Sequence, residues 1–339
     1  MNLKENLRSF TFRLSQISTK YYKYFPYLSL LLGILTILLW QRSFDFIRWA
    51  FIYFIIIGIT TILLLGFIKY LSHKNKTVPS IIWCIEFINQ NLYQDLILFL
   101  LPIYYQSSTI YSKNVMFLII IAALAVITTF DNAYRTLILR NKVTQFLFYT
   151  FNLFAFLNFC MPVLLGMRNI YSLYISMTLS ILLLTPLLLD YKEMLKRSKM
   201  AAAALIILIS LFAVNLLKGF IPPVPLKLVS GTASVDVDRT KKEPIKSFVV
   251  ISSKGVDAVY CYTSIFAPMG IHERLWHIWK KDEKIVQKVV VEITGGRKDG
   301  FRTWSKKTIA ENQDKGKWTV DVITDGGQLV GKVRFTIIE

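Results

Sequence analysis

Phe220-Ile221-Pro222-Pro223-Val224-Pro225-Leu226 divides the chain. Proline fixes φ, has no N–H to donate, and biases its predecessor towards extended geometry. Three prolines in four positions therefore end a helix and predict a semi-rigid extended joint over 220–227. Before the joint, long apolar runs dominate. After it, short runs alternate apolar and polar residues. The expected organisation is a charged tail at 1–24, a transmembrane helical domain at 25–219, the joint, and a β-domain at 228–339.

Working back from the joint, seven apolar runs suggest membrane-crossing helices, each measured against the roughly 20 residues that a bilayer needs. They are Phe25–Trp40, Trp49–Phe67, Pro79–Tyr105, Val115–Phe130, Phe146–Leu165, Ile170–Leu189 and Met200–Leu217. Tyr and Trp recur near their ends, as residues with an apolar body and a polar tip do at interfaces. The stretch Met1–Lys23 is charged and has no short apolar core with a small-residue cleavage site, so it reads as a retained tail rather than a signal peptide.

The chain carries a formal charge of +19, which raises the question of nucleic acid. The distribution answers it. Residues 228–339 hold 19 basic and 14 acidic residues, whereas residues 1–227 hold 21 basic and seven acidic, mostly in short connections. With seven spans, 15 cations fall on the N-terminal side and four (Arg42, Arg48, Lys113, Arg168) on the other. Basic residues are retained in the cytoplasm. The expectation is a membrane protein with its N-terminus in the cytoplasm, its β-domain outside, and no nucleic-acid partner.

The third run differs from the others because it contains Glu86, Asn89, Gln90, Asn91, Gln94 and Asp95. At 100° per residue, Glu86, Gln90 and Gln94 share one face, with Asp95 well round from it. Two readings stand. Intramembrane polar residues mark a substrate or proton route. Alternatively, the first half lies on the interface as an amphipathic helix and the span starts near Leu92.

Downstream, Leu275, His277 and Trp279 share one face of a strand, with Trp276 and Ile278 on the other. Val289-Val291-Ile293, Trp318-Val320-Val322 and Val333-Phe335-Ile337 repeat the pattern, and Thr324-Asp325-Gly326-Gly327-Gln328 reads as a hairpin turn. Phe248–Ile251 reads as one further strand. The fold class expected is a polytopic α-helical membrane domain of about seven spans, followed by an all-β, immunoglobulin-like sandwich of about seven strands.

Several motifs fall in this half: His272-Glu273-Arg274-Leu275-Trp276-His277-Ile278-Trp279, Gly295-Gly296-Arg297, Gly300-Phe301-Arg302-Thr303-Trp304-Ser305, Gly316-Lys317-Trp318 and Gly327-Gln328-Leu329-Val330-Gly331. Over 245–339 the chain resembles a bacterial domain of unknown function that follows a multi-span membrane region. Leu101-Pro102-Ile103-Tyr104-Tyr105 and Phe130-Asp131-Asn132-Ala133-Tyr134 look like that membrane partner. The resemblance implies a bacterial inner-membrane setting and brings no activity with it.

Chemistry is sparse. The three cysteines, Cys84, Cys160 and Cys261, are far apart in sequence and show no metal-ligand spacing. His272, Glu273 and His277 form a sequence cluster, but the alternation sends His277 towards the core edge. Neither a nucleophile elbow nor a phosphate loop is present. No catalytic residue, metal or cofactor is expected.

The strongest binding candidate is the turn and strand carrying Arg297, Lys298, Arg302, Trp304 and Lys306, where cations flank aromatic rings. Guanidinium grips carboxylate or phosphate through two donors. Membrane lipids and an anionic glycan, lipid headgroup or envelope protein are the expected partners. Two functions follow: a non-enzymatic binding or assembly module, or a membrane-embedded enzyme or transporter using Glu86, Gln90, Gln94 and Asp95.

Overall fold

The computed structural model describes residues 79–188, 196–310 and 314–339, with isolated positions at Leu31, Ile52, Ile55 and Ile56. The chain divides into two compact units. One comprises Met1–Leu100 with Ala122–Gln145, the other Leu101–Ile121 with Phe146–Glu339.

The first unit contains a sharp break. Helix α1 (Pro79–Ser107) enters it, and helix α2 (Val115–Thr129) ends in it. Phe130 adopts extended geometry (φ −102°, ψ 111°), and the chain restarts as α3 (Asp131–Ala133) and a π-helical turn over Tyr134–Ile138. The two arms meet at 107°. A break of this kind strands backbone carbonyls, and buried carbonyls need donors. Gln90 Nε2 donates to Thr128 O at 3.0 Å, and Gln94 Nε2 donates to Thr129 Oγ1 at 3.1 Å.

The second unit carries α4 (Lys142–Leu165), α5 (Asn169–Leu188) and α6 (Arg197–Leu217), then a 3-10 turn over Lys218–Phe220. Polar side chains join these helices. Tyr104 Oη donates to Ala155 O at 2.9 Å, Ser172 Oγ to Asn158 O at 2.9 Å, and Tyr174 Oη to Asn215 Oδ1 at 2.9 Å. Asn158 and Asn215 thus act between helices, as isolated polar residues in apolar segments do.

The seven-span expectation is corrected here. Among the described residues, two helices are long and apolar enough to cross a membrane, Lys142–Leu165 and Arg197–Phe220, or three if the bent α2 pair counts as one. The first two expected spans, Phe25–Trp40 and Trp49–Phe67, lie outside the described residues apart from isolated positions. The third run is one continuous helix, but it carries too many polar residues to be among the candidates. Helix α2 has 15 residues, about 22 Å of rise against a hydrocarbon core of about 30 Å. Helix α5 is apolar, but its described side chains, Asn169–Thr185, are too few to count among the candidates. Apolar runs also build protein interior, and in α4 61% of the apolar window is buried within the protein.

Beyond α6, nine strands among the described residues form two sheets. One has the order β2-β1-β4-β7 and the other β3-β9-β8-β5-β6. The ranges are β1 Lys227–Asp238, β2 Glu243–Phe248, β3 Val250–Ser252, β4 Ala258–Phe266, β5 His272–Lys281, β6 Lys284–Thr294, β7 Phe301–Thr308, β8 Gly316–Thr324 and β9 Leu329–Ile338. The architecture departs from the seven-stranded, immunoglobulin-like sandwich expected. An extra β1–β2 hairpin is present, and β3 runs parallel to β9. The expected Phe248–Ile251 strand is split, because the chain leaves the first sheet after Phe248 and joins the second at Val250.

The sheets face one another. Ala233, Val259 and Cys261 of the first pack with Trp279, Trp318, Val333 and Phe335 of the second. Trp318 and Phe335 stack at 8°, with Trp279 edge-on to both. Leu226, Ile265, Leu275, Val291 and Ile293 make a second cluster. Leu275, His277 and Trp279 point inward, as the alternation implies.

The proline stretch is not a spacer. Ile221–Leu226 is buried, with Val224 and Leu226 fully so. Gln328 Nε2 donates to Ile221 O at 3.1 Å, and Asn169 Nδ2 donates to Val224 O at 2.9 Å. Two helix connections reach the same end of the β-domain. Asn114 Nδ2 donates to Leu329 O at 3.1 Å, and Thr109 Oγ1 to Val330 O at 3.3 Å. The Asn169 N–H donates to Glu273 Oε2 at 3.1 Å, and Arg168 pairs with Asp325 and lies 4.0 Å from Glu273 Oε1. The β-domain is therefore clasped by three segments rather than swinging on one. The stretch is not the extended joint expected: it turns on itself, with the Val224 N–H donating to Pro222 O at 2.9 Å and the Leu226 N–H to Pro223 O at 2.8 Å, which leaves the Ile221 and Val224 carbonyls to outside donors.

Candidate functional site

The turn from β6 to β7 crosses from one sheet to the other and so does not close a hairpin. Gly295 is required there: a Cβ would collide with the Pro268 carbonyl. Gly300 sits at φ +85°, where a side chain is strained. Between them Arg297, Lys298 and Asp299 project, and the Asp299 carbonyl accepts from Ser264 Oγ.

Arg302, Trp304 and Lys306 follow on one face of β7. Ser305 points the opposite way into the core, where Trp279 Nε1 donates to its Oγ at 3.0 Å. These three residues therefore lie on the outer face of the first sheet, paired with Ser264, Tyr262 and Tyr260 of β4. Lys306 Nζ stands 5.6 Å from the Tyr260 ring centre, and the Arg297 guanidinium 5.0 Å from that of Phe301.

The β1–β2 hairpin completes the site. Arg302 pairs through Ser264 with Ser230, eight positions before Asp238 on β1. Yet Arg302 Nη1 donates to Lys241 O and Glu243 Oε1, both at 3.1 Å. The tip of the hairpin must therefore arch back over the outer face. Asp238 Oδ1 ties that tip by accepting from the N–H groups of Thr240 and Lys241, which hold its carboxyl below the usual range.

The arch and the turn enclose an open cleft of about 310 Å³, lined by Thr240, Lys241, Lys242, Arg297, Lys298, Asp299, Gly300 and Arg302. Five cations face one carboxylate. Of the expected binding residues, Arg297, Lys298 and Arg302 line the cleft, while Trp304 and Lys306 lie further along the strand. Lys241 and Lys242 escaped sequence reasoning. Their signal was the run Arg239-Thr240-Lys241-Lys242, which stands some 55 residues before the turn it joins.

His272, Glu273 and His277, neighbours in sequence, do not come together as a site. His272 is exposed beside Thr294, Glu273 is buried against the Asn169 amide, and His277 is fully buried. His277 has both ring nitrogens occupied: Nδ1 lies 2.9 Å from Ser305 Oγ and Nε2 3.1 Å from Thr263 Oγ1. Because Trp279 donates to Ser305, the serine proton can point to Nδ1, which leaves Nε2–H to serve Thr263. A serine beside a histidine has the spacing of a nucleophile and its base. Here both lie in the packed core, with Ser305 at 3% exposure and His277 at 0%, so no substrate reaches them. Burial lowers the His277 pKa to about 4. Among the described residues no group of three His, Cys, Asp or Glu comes together to hold a metal.

The intramembrane candidates have structural work at the α2 break. Gln90 and Gln94 satisfy Thr128 and Thr129, as above. Glu86 pairs with Arg135 at 3.7 Å, and Arg135 also contacts Asp131 at 3.4 Å. Glu86 thus has the cationic partner that the sequence did not reveal, because Arg135 lies 49 residues away. Asp95 sits on the same helix.

A family model described as a family of unknown function (DUF5924) matches residues 4–263. This chain belongs to that family. A second model, described as a protein of unknown function (DUF2914), matches residues 272–337. A comparison with curated proteins gave no match. The two matched regions of this DUF5924 chain meet inside the β-domain, between β4 and β5. Strands β1–β3 and β4 as far as Thr263 fall in the first, and β5–β9 in the second, apart from the last residue of β9. One core nevertheless spans both. The cationic cleft does too, taking Lys241 and Lys242 from one match and Arg297, Lys298 and Arg302 from the other.

Proposed function

We propose that this is a bacterial inner-membrane protein that presents its β-domain in the periplasm to bind or help assemble an anionic envelope component, without catalysis. The observation that carries this reading is the cleft. Five cations from two separate stretches line one open site, against the Asp299 carboxylate in its lining and the Glu243 carboxylate held on Arg302. Guanidinium and ammonium groups so placed recognise phosphate or carboxylate.

Helix α6 supports the membrane setting. Only 6% of its apolar window is buried within the protein, and Leu205, Leu208, Ile209, Phe212 and Leu216 are exposed. Water would penalise such a surface, whereas lipid would not. The helix starts at Lys196, Arg197 and Lys199 and delivers the chain to the β-domain. That asymmetry supports a cytoplasmic start and a periplasmic end.

The test is capture by the full chain in detergent, with bound lipids, glycans and proteins identified together. Reversing Arg297 and Arg302 to Glu should abolish capture of the anionic species while circular dichroism stays unchanged. Equal capture by both forms overturns the reading.

A further inference from the structure

Glu243 occupies the cleft's own arginine. Its Oε1 accepts from Arg302 Nη1 at 3.1 Å, and the same nitrogen holds the Lys241 carbonyl of the hairpin tip. Glu243 belongs to β2 and Arg302 to β7, the two outermost strands of the first sheet. The pair exists only because the hairpin arches over. A carboxylate is thus supplied by the chain itself to the arginine of a site lined by five cations and Asp299.

We propose that the cleft takes a phosphate-bearing group in the place that the Glu243 carboxylate holds on Arg302, with Glu243 as a resident competitor on a hairpin latch. This rests on the reading of the cleft as an anion site and narrows its ligand chemistry. An intramolecular carboxylate acts at an effective concentration on the order of millimolar or more. A free monocarboxylate offers nothing that Glu243 does not, and it loses that contest. A phosphate brings close to two charges and three strong acceptor oxygens. It can engage Arg302 together with Lys241, Lys242, Arg297 and Lys298, which a single carboxylate on β2 does not. The cleft, at about 310 Å³, also has room for more than one phosphate, so a phosphorylated sugar or a lipid headgroup fits the same chemistry.

The competition predicts a gain of binding, which a merely structural ion pair does not. Arg302 and Glu243 are about one-third and one-half exposed, so the pair is worth less than about 1 kcal/mol. The full chain in detergent is titrated with inorganic pyrophosphate by calorimetry. Glu243→Gln should tighten binding about threefold, Arg302→Gln should weaken it more than tenfold, and the double variant should match Arg302→Gln alone. Unchanged or weaker binding by Glu243→Gln overturns the proposal even if Arg302→Gln abolishes binding, and the broader anion-site reading then survives. Pyrophosphate binding that ignores both substitutions overturns both readings. Competition distinguishes the sources. Displacement by nanodiscs containing phosphatidate supports the proposal with a lipid headgroup as ligand, and displacement by glucose 6-phosphate supports it with a soluble phosphosugar. Failure of both, alongside full displacement by acetate, overturns it.

Discussion

At the residue scale, His277 and Glu273 show how burial assigns roles that residue type alone does not. His277 belongs to the core and stays neutral there. Its pKa is about 4 in the folded protein, against about 6.5 when unfolded. A depressed native value favours the neutral form, so the stability it contributes is complete above pH 6.5 and is lost as pH falls through 4. The loss is at most about 3 kcal/mol. Thermal unfolding of the β-domain in the full chain, followed by near-ultraviolet circular dichroism, should show a lower midpoint at pH 4.5 than at pH 7. His277→Gln should flatten that dependence. A midpoint with the same pH slope in both would remove His277 from the account.

Glu273 is desolvated, which raises its pKa, while the Asn169 N–H and Arg168 oppose the shift. Its carboxylate holds the α4–α5 connection to β5. Removing Arg168 leaves that buried group without its cation, whereas Glu273→Gln keeps an acceptor for Asn169. Arg168→Ala should therefore cost about 2 kcal/mol and Glu273→Gln less. Limited proteolysis at the connection would report the order, and equal sensitivity would contradict it.

At the element scale, the α2 break explains why a helix rich in amides lies beside it. Gln90 and Gln94 stand one turn apart on α1 and meet successive threonines at the end of α2. Gln90→Leu should cost about 1 kcal/mol, since the Thr128 carbonyl loses its donor in a buried setting. The thermal midpoint in detergent would fall accordingly, and an unchanged midpoint would show that the bend is held otherwise. The β1–β2 hairpin is the other element whose role depends on where it folds back. As a flat extension of the first sheet it would contribute nothing to the cleft. Arched over the outer face, it brings Lys241, Lys242 and Glu243 to the β6–β7 turn.

At the scale of the whole molecule, the β-domain needs both family-matched regions. Residues 272–337 alone lack Ala233, Val259 and Cys261, which are buried against Trp279, Trp318 and Phe335. Expressed alone, that fragment should show exposed tryptophan emission and no cooperative melt, whereas a sharp melt would place a complete core within it. The proposed orientation is tested by impermeant maleimide on cells with a permeabilised outer membrane. Lys284→Cys should label directly and Arg140→Cys only after the inner membrane is opened. The reverse pattern would invert the topology. Both positions are exposed, Cys160 and Cys261 are buried, and the labelling is done in a Cys84→Ser background.

Local pattern was enough for the change from apolar helix to strands at the prolines, the inward set Leu275-His277-Trp279, the turn at Thr324–Gln328, and three of the cleft's cations. Each depends on period or on proline and glycine stereochemistry, which act over a few residues. Only the tertiary structure decided which of the described apolar runs are buried and which stay exposed, because an apolar run is equally suited to protein interior. It also decided that the proline stretch is clasped, that Glu86 meets Arg135, and that Lys241, Lys242 and Glu243 join Arg297 and Arg302. Those pairings link residues tens of positions apart, and no period along a chain encodes which distant charge will face which.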